Sequence, residues 1–213
     1  MEEIHLQRVL PNEIEQRSFE LITQELQRRG EADKILPENE LVVKRVIHTT
    51  ADFDYVQNLA ISQGAVAAGI QALKNGACIV TDTQMAKAGI NKRKLAKLGG
   101  EVFCFIADED VAQAAKDRGI TRSAVSMEKA AKLDRPLIFA IGNAPTALVK
   151  LYELIEEGKV NPQLVIGVPV GFVNVVEAKE MILRAPVAHI VARGRKGGSN
   201  VAAAICNAML YQI

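Results

Sequence analysis

The sequence predicts an open three-layer α/β/α fold: a mainly parallel sheet of about five strands with helices on both faces, preceded by N-terminal helices. Three observations point there. Short apolar runs at 77–81, 102–106, 137–141, 164–168 and 188–192 alternate with longer amphipathic segments. Each run has the usual length of a strand. None alternates apolar with polar residues, so each should be covered on both faces, as in a parallel sheet.

The elements follow in chain order. Pro11-Asn12 opens a segment in which Ile14, Leu21, Ile22 and Leu26 recur at helical spacing. A second helix is expected from about Pro37 through Leu41, Val42, Val46 and Ile47, breaking near Thr49-Thr50. After the strand runs, helices are expected at 110–118, 146–157, 175–184 and 201–210. No repeat, low-complexity tract or Gly/Ser linker divides the chain, so residues 1–213 read as one domain. The N-terminal helices should pack on the sheet or form part of a subunit interface.

Composition narrows the function. The chain has 213 residues, 49% of them hydrophobic and 24% charged, which fits a globular core and excludes disorder or coiled coil throughout. A net charge of +1 gives no electrostatic case for nucleic acid. Aromatics are 4% with no Trp, so base-stacking platforms are not expected either. The start, Met1-Glu2-Glu3-Ile4-His5, lacks the features of a signal peptide, and no run reaches the roughly 18 apolar residues of a membrane span. Cys78, Cys104 and Cys206 are dispersed, with neither disulfide-framework nor zinc spacing. A cytoplasmic setting is expected.

Open α/β sheets bind ligands beyond the C-terminal ends of their strands. The turns there are rich in special residues. Asp82-Thr83 reads as a helix cap or a ligand contact. Gly142-Asn143-Ala144-Pro145-Thr146 combines a tight turn, Asn143 as N-cap and Pro145 at an early helical position, leaving backbone N–H groups suited to an anion. Pro169 to Asn174 is unusually apolar for a turn, as suits a wall against a large apolar ligand or another subunit. Arg193-Gly194-Arg195-Lys196-Gly197-Gly198-Ser199-Asn200 resembles an anion-binding turn, yet matches neither the Walker A nor the G-x-G-x-x-G pattern. Arg122 is suited to a two-pronged grip on a carboxylate, or to an ordinary salt bridge.

Of the three histidines, His48 is the sharpest candidate. It ends a helix in Arg45-Val46-Ile47-His48, with Arg45 three residues earlier on the same face. Histidine titrates in the range useful for proton transfer. On chemistry alone a capping or packed histidine is the plainer reading. His5 and His189 have less around them. Serine-hydrolase, zincin, C-x-x-C and EF-hand patterns are missing from the sequence. These features together describe a protein for a large, partly anionic, partly apolar ligand.

Several strings appear in fixed order: Arg17-Ser18-Phe19; Arg45-Val46-Ile47-His48; Thr121-Arg122-Ser123; Ala140-Ile141-Gly142-Asn143-Ala144-Pro145-Thr146-Ala147-Leu148; Gly167-Val168-Pro169-Val170-Gly171-Phe172-Val173; and Gly194-Arg195-Lys196-Gly197-Gly198-Ser199. From about residue 12 to residue 210 the chain resembles the precorrin-8X methylmutase family of cobalamin biosynthesis. The two long strings are specific when found together.

The resemblance implies a flavodoxin-like fold and an isomerase that moves a methyl group from C-11 to C-12 of a precorrin, giving hydrogenobyrinate, or cobyrinate when cobalt is in the ring. It implies a homodimer with shared active sites and no cofactor, any cobalt being carried by the substrate. It makes His48 the proton donor or acceptor, and Ser18 and Arg45 substrate contacts. Arg122, Asn143, Thr146, Asn174 and Arg195 are further expected substrate contacts, because the substrate is a flat apolar macrocycle fringed with carboxylates. Lys196 and the 49–52 segment have no firm place in the motif. Two readings of another class stand beside the enzyme: a corrinoid carrier without catalysis, and a flavodoxin-like nucleotide or flavin binder.

Overall fold

A computed structural model describes residues 8–213; Met1-to-His5 features of the sequence lie outside the described residues. The chain opens with helices α1 (Ile14–Arg28), α2 (Glu40–Thr50) and the short α3 (Tyr55–Asn58). Strand β1 (Leu59–Ile61) and helix α4 (Ala65–Lys74) follow. Next come β2 (Cys78–Thr81), α5 (Gln84–Gly89), α6 (Lys92–Lys97), β3 (Val102–Phe103), α7 (Glu109–Arg118) and α8 (Arg122–Ala130). The chain then forms β4 (Leu137–Ile141), α9 (Pro145–Glu156), β5 (Leu164–Gly167), α10 (Val175–Arg184), β6 (His189–Ala192) and α11 (Ser199–Leu210).

The strands lie in the order β1-β6-β5-β4-β2-β3. β2 through β6 are parallel, and they are the five runs expected from the sequence. Their spatial order is that of the flavodoxin-like doubly wound sheet, with its topological switch point between β2 and β4. One correction concerns strand number. β1 is a sixth, antiparallel edge strand, with Leu59 opposite Ala192 and Ile61 opposite Ile190. Three residues covered mainly from one side give no run long enough to stand out in the sequence. β3 is also shorter than the 102–106 run, since an edge strand has only one neighbour to pair with.

Alternation along the strands sorts the core into two layers. Ile79, Ile138, Ala140, Leu164, Ile166 and Ile190 face a cluster that includes Val46 and Ile47 of α2, Leu73 of α4 and Ile205 of α11. Cys78, Val80, Phe139, Ile141, Val165 and Val191 face the other cluster, with Met127 of α8, Leu148 and Leu151 of α9, and Ile182 of α10. The N-terminal helices are thus an extra layer on the α4/α11 side. Ile22 and Leu26 of α1 are buried there, whereas Ile14 and Leu21 of the same apolar pattern remain exposed.

Candidate active site

The turn after β2 folds back on the turn after β4. Asp82 is buried, and its carboxylate accepts N–H bonds from Gly142 at 2.8 Å, Asn143 at 2.8 Å and Ala144 at 2.6 Å. The backbone donors expected to be free for an external anion are therefore held by the chain's own carboxylate. This corrects the reading of Asn143 as N-cap: Ala144 takes that position, and the Asn143 side chain is left exposed. Burial pushes the Asp82 carboxyl above its ordinary range, against the pull of the three N–H donors. Thr83 caps α5 by accepting from the Ala86 N–H at 3.0 Å, and its hydroxyl lies 2.8 Å from that of Ser199. Gly142 is required by this closeness, since a Cβ would stand 2.7 Å from the Ser199 Cα.

The loops after β5 and β6 interlock in the same way. The Gly198 N–H donates to the Val168 carbonyl at 2.8 Å and the Gly171 N–H to the Arg195 carbonyl at 3.2 Å. A Cβ on Gly197 would lie 2.1 Å from the Val168 oxygen, so this glycine serves backbone contact. Lys179 reaches the loop from α10. Its side chain is fully buried, and its ammonium donates to the carbonyls of Gly194 and Lys196, both at 2.8 Å. Burial pulls its pKa down to about 8. Arg195 stays exposed, its guanidinium 5.6 Å from the centre of the Phe172 ring. Lys196 pairs with Asp52 and Asp54 at 2.6 Å each, which ties this loop to the segment just after His48.

On the helical side, the spacing of three along α2 puts Arg45 and His48 on one face. The Arg45 guanidinium sits 5.1 Å from the Phe19 ring centre and 4.7 Å from that of Tyr211, and pairs with Glu15. The His48 ring lies 5.5 Å from Phe19, tilted by 36°. His48 is exposed at the end of α2, where Ala51 closes the helix in the left-handed conformation. Ser18, beside Phe19 on α1, turns its hydroxyl back to the Ile14 carbonyl at 2.8 Å. Ser18, Arg45 and His48 thus share one pair of helices, joined through Phe19.

The remaining expected contacts fall elsewhere. Thr146 and Asn174 line one groove of about 610 Å³ in the α8–α10 layer, together with Thr121, Pro145 and Val173. The Thr121 hydroxyl donates to that of Thr146 at 2.9 Å. Arg122, the first residue of α8, is exposed and lines a neighbouring depression beside Glu109, Lys116 and Ile120. A single chain therefore places His48 and its neighbours on one side of the sheet, and Thr146 with Asn174 on the other.

Phe19, Tyr211, Asp82 and Lys179 take parts that sequence reasoning did not assign. A signal existed for Lys179. It falls on the apolar stripe of α10, with Val175, Ala178 and Ile182, where a solvated lysine has no place. Phe19 carried no signal beyond its place in a quoted string. The three cysteines are free and buried, and burial pushes the Cys206 thiol up to about 12, far from nucleophilic use. Among the described residues no group of three or more His, Cys, Asp or Glu is arranged to hold a metal ion, and no helix is long and apolar enough to cross a membrane.

Comparison with known proteins bears on this arrangement. The family model described as Precorrin-8X methylmutase matches residues 13–212. A curated cobalt-precorrin-8 methylmutase from Priestia megaterium is 46% identical over 201 residues, covering 94% of this chain and 88% of its own. One from Salmonella typhimurium is 45% identical over 205 residues, covering 95% and 96% respectively. The solved precorrin-8x methyl mutase of Thermus thermophilus superposes with a TM-score of 0.83 at 39% identity, over 93% of this chain and 96% of that one.

Proposed function

The chain belongs to the precorrin-8X methylmutase family, and on that premise we propose that it converts cobalt-precorrin-8 to cobyrinate by moving a methyl group from C-11 to C-12 of the ring. It is an isomerase, an intramolecular methyl transferase of cobalamin biosynthesis. His48 carries the proton. The observation behind that assignment is the His48–Phe19–Arg45 group: an exposed imidazole and a guanidinium on one helical face, packed on the same ring.

The chemistry asks little else of the chain. Substrate and product are isomers, so no methyl donor, reductant or oxidant is consumed. Proton donation from His48 makes the conjugated ring electron-poor, the methyl group shifts to the adjacent carbon, and loss of a proton restores the charge balance. A positioned general acid of this kind contributes about 10²–10⁴ in rate. Arg45 meets a peripheral carboxylate of the substrate, where Glu15 holds its place in the free chain. Ser18 hydrogen-bonds the ring edge after releasing the Ile14 carbonyl. Cobalt, where present, belongs to the substrate, and the protein works without a cofactor.

The working unit is a homodimer with shared sites. Phe172 is 82% exposed and Val173 78%, the latter lining the Thr146–Asn174 groove, and Ile14 and Leu21 of α1 and Leu41 of α2 are exposed as well. Exposed large apolar side chains suit burial against a second copy. Pairing would also supply His48 with residues from the opposite side of another chain's sheet. Arg122, Asn143, Thr146, Asn174 and Arg195 are the residues that would hold the substrate's acids. The protein is expected to act in the cytoplasm.

Absorbance spectroscopy tests the reading. Mixed with a large excess of cobalt-precorrin-8, the protein should convert all of it, with a progressive visible shift as the conjugation changes. A change limited to one equivalent per site would identify a carrier instead, and metal-free precorrin-8 in parallel reports which ring is accepted.

A further inference from the structure

Among the described residues, Lys179 is a buried cation with no carboxylate partner. A lone ammonium in a protein interior is expensive unless its donors are satisfied. Here the satisfying atoms are the main-chain carbonyls of Gly194 and Lys196, on either side of Arg195. The carbonyl of Arg195 itself is taken by the Gly171 N–H. Two carbonyls of the loop are thus turned onto the Lys179 ammonium and the one between them onto the neighbouring loop, while the Arg195 side chain is exposed over Phe172. Two inward carbonyls that flank one residue can share a single multivalent donor, and an ammonium, with three N–H groups, is one.

We infer that Lys179 is a positioning residue, whose ammonium shapes the 193–198 loop from below and so presents Arg195 to a carboxylate of the substrate. The inference deepens the proposed function and rests on it, since it takes Arg195 as a substrate contact. Lys179 touches neither substrate nor reacting atoms. It acts through the backbone on both sides of Arg195. The glycines at 194, 197 and 198 let the loop adopt this path, and Lys179 selects one path among those they allow. A neutral side chain of similar length, such as methionine, fills the same space and leaves the carbonyls without donors.

The test is a double-mutant cycle with Lys179→Met and Arg195→Ala, read by steady-state kinetics on cobalt-precorrin-8 and by thermal unfolding. Lys179→Met should raise KM roughly tenfold, with kcat within about threefold of wild type. Arg195→Ala should raise KM to a similar degree. The double variant should be no worse in KM than the poorer single one, because both act on the same contact. Multiplying KM effects would overturn the inference, as would a Lys179→Met protein that loses only thermal stability and keeps its KM. Lys179→Gln, which retains one amide donor arm, should fall between wild type and Lys179→Met in KM. If neither variant accumulates as folded protein, the residue is structural and the inference fails. A wild-type protein that does not turn over cobalt-precorrin-8 sinks the proposed function instead. In that case the loop's exchange of amide hydrogens in Lys179→Met, faster than in wild type at 193–198 alone, still reports whether Lys179 shapes it.

Discussion

On α1 and α2 the ionisable side chains His48 and Arg45 meet other side chains, whereas at the C-terminal edge of the sheet Asp82 and Lys179 are taken up by the backbone. His48 is exposed, and Arg45 is held by two aromatic rings and a surface glutamate. Asp82, by contrast, is sealed beneath three backbone N–H donors, and Lys179 beneath two carbonyls. The helical pair is therefore built from exchangeable side-chain contacts. The sheet edge is built from buried charges that shape backbone. Substitution should separate the two: chemistry is lost from the helices, and stability or loop shape from the edge.

The largest contrast is expected at His48. His48→Ala should lower kcat by about 10²–10⁴ while leaving the thermal midpoint nearly unchanged, because the ring is exposed and makes one aromatic contact. A drop of many degrees in a melting curve would erase the distinction. Asp82→Ala should behave oppositely. It leaves three N–H donors at the start of α9 without an acceptor, at a cost of about 2–4 kcal/mol, or roughly 6–12 °C in a thermal melt. Kinetics of whatever remains folded at low temperature should show kcat within a few-fold of wild type.

A smaller effect is expected from Lys179 as pH changes. Its folded pKa is lowered to about 8, against about 10.4 for an unfolded lysine. Between those values the unfolded chain binds the extra proton, so this residue's contribution to stability rises with pH. Denaturant unfolding at pH 7 and pH 10 should show wild type gaining about 2 kcal/mol relative to Lys179→Met over that interval. A difference that stays constant, or shrinks, would mean that burial does not lower the pKa of this amine. The smallest effect is expected from Lys196→Ala. Its pairs with Asp52 and Asp54 are solvent-exposed and should contribute less than about 1 kcal/mol to stability in denaturant titrations. A larger loss would make the tie between the 193–198 loop and the end of α2 a part of the rigid edge.

Legibility in the sequence divides along similar lines. The five parallel strands were readable because strands covered on both faces are continuous apolar runs, and α10 was readable to the residue from its amphipathic period. β1 was not, because three residues at a sheet edge carry no period. Arg45 and His48 were readable as a pair from helical spacing alone. Gly142, Gly197 and Gly198 were visible as special, but their purpose was not. Glycines that suit an anion also suit close backbone packing, and only the fold shows that the Val168 carbonyl and Ser199 occupy that space. Asp82 reads locally as a cap for the next helix, yet its partners lie about sixty residues on, beyond the reach of local pattern.

The most direct test of the division between the two regions is His48→Ala protein examined twice with cobalt-precorrin-8: once for binding at equilibrium, and once for conversion in a single turnover. The account predicts an affinity within about threefold of wild type and conversion slowed by at least 10². Conversion at the wild-type rate would contradict it and take the chemistry away from the helical pair.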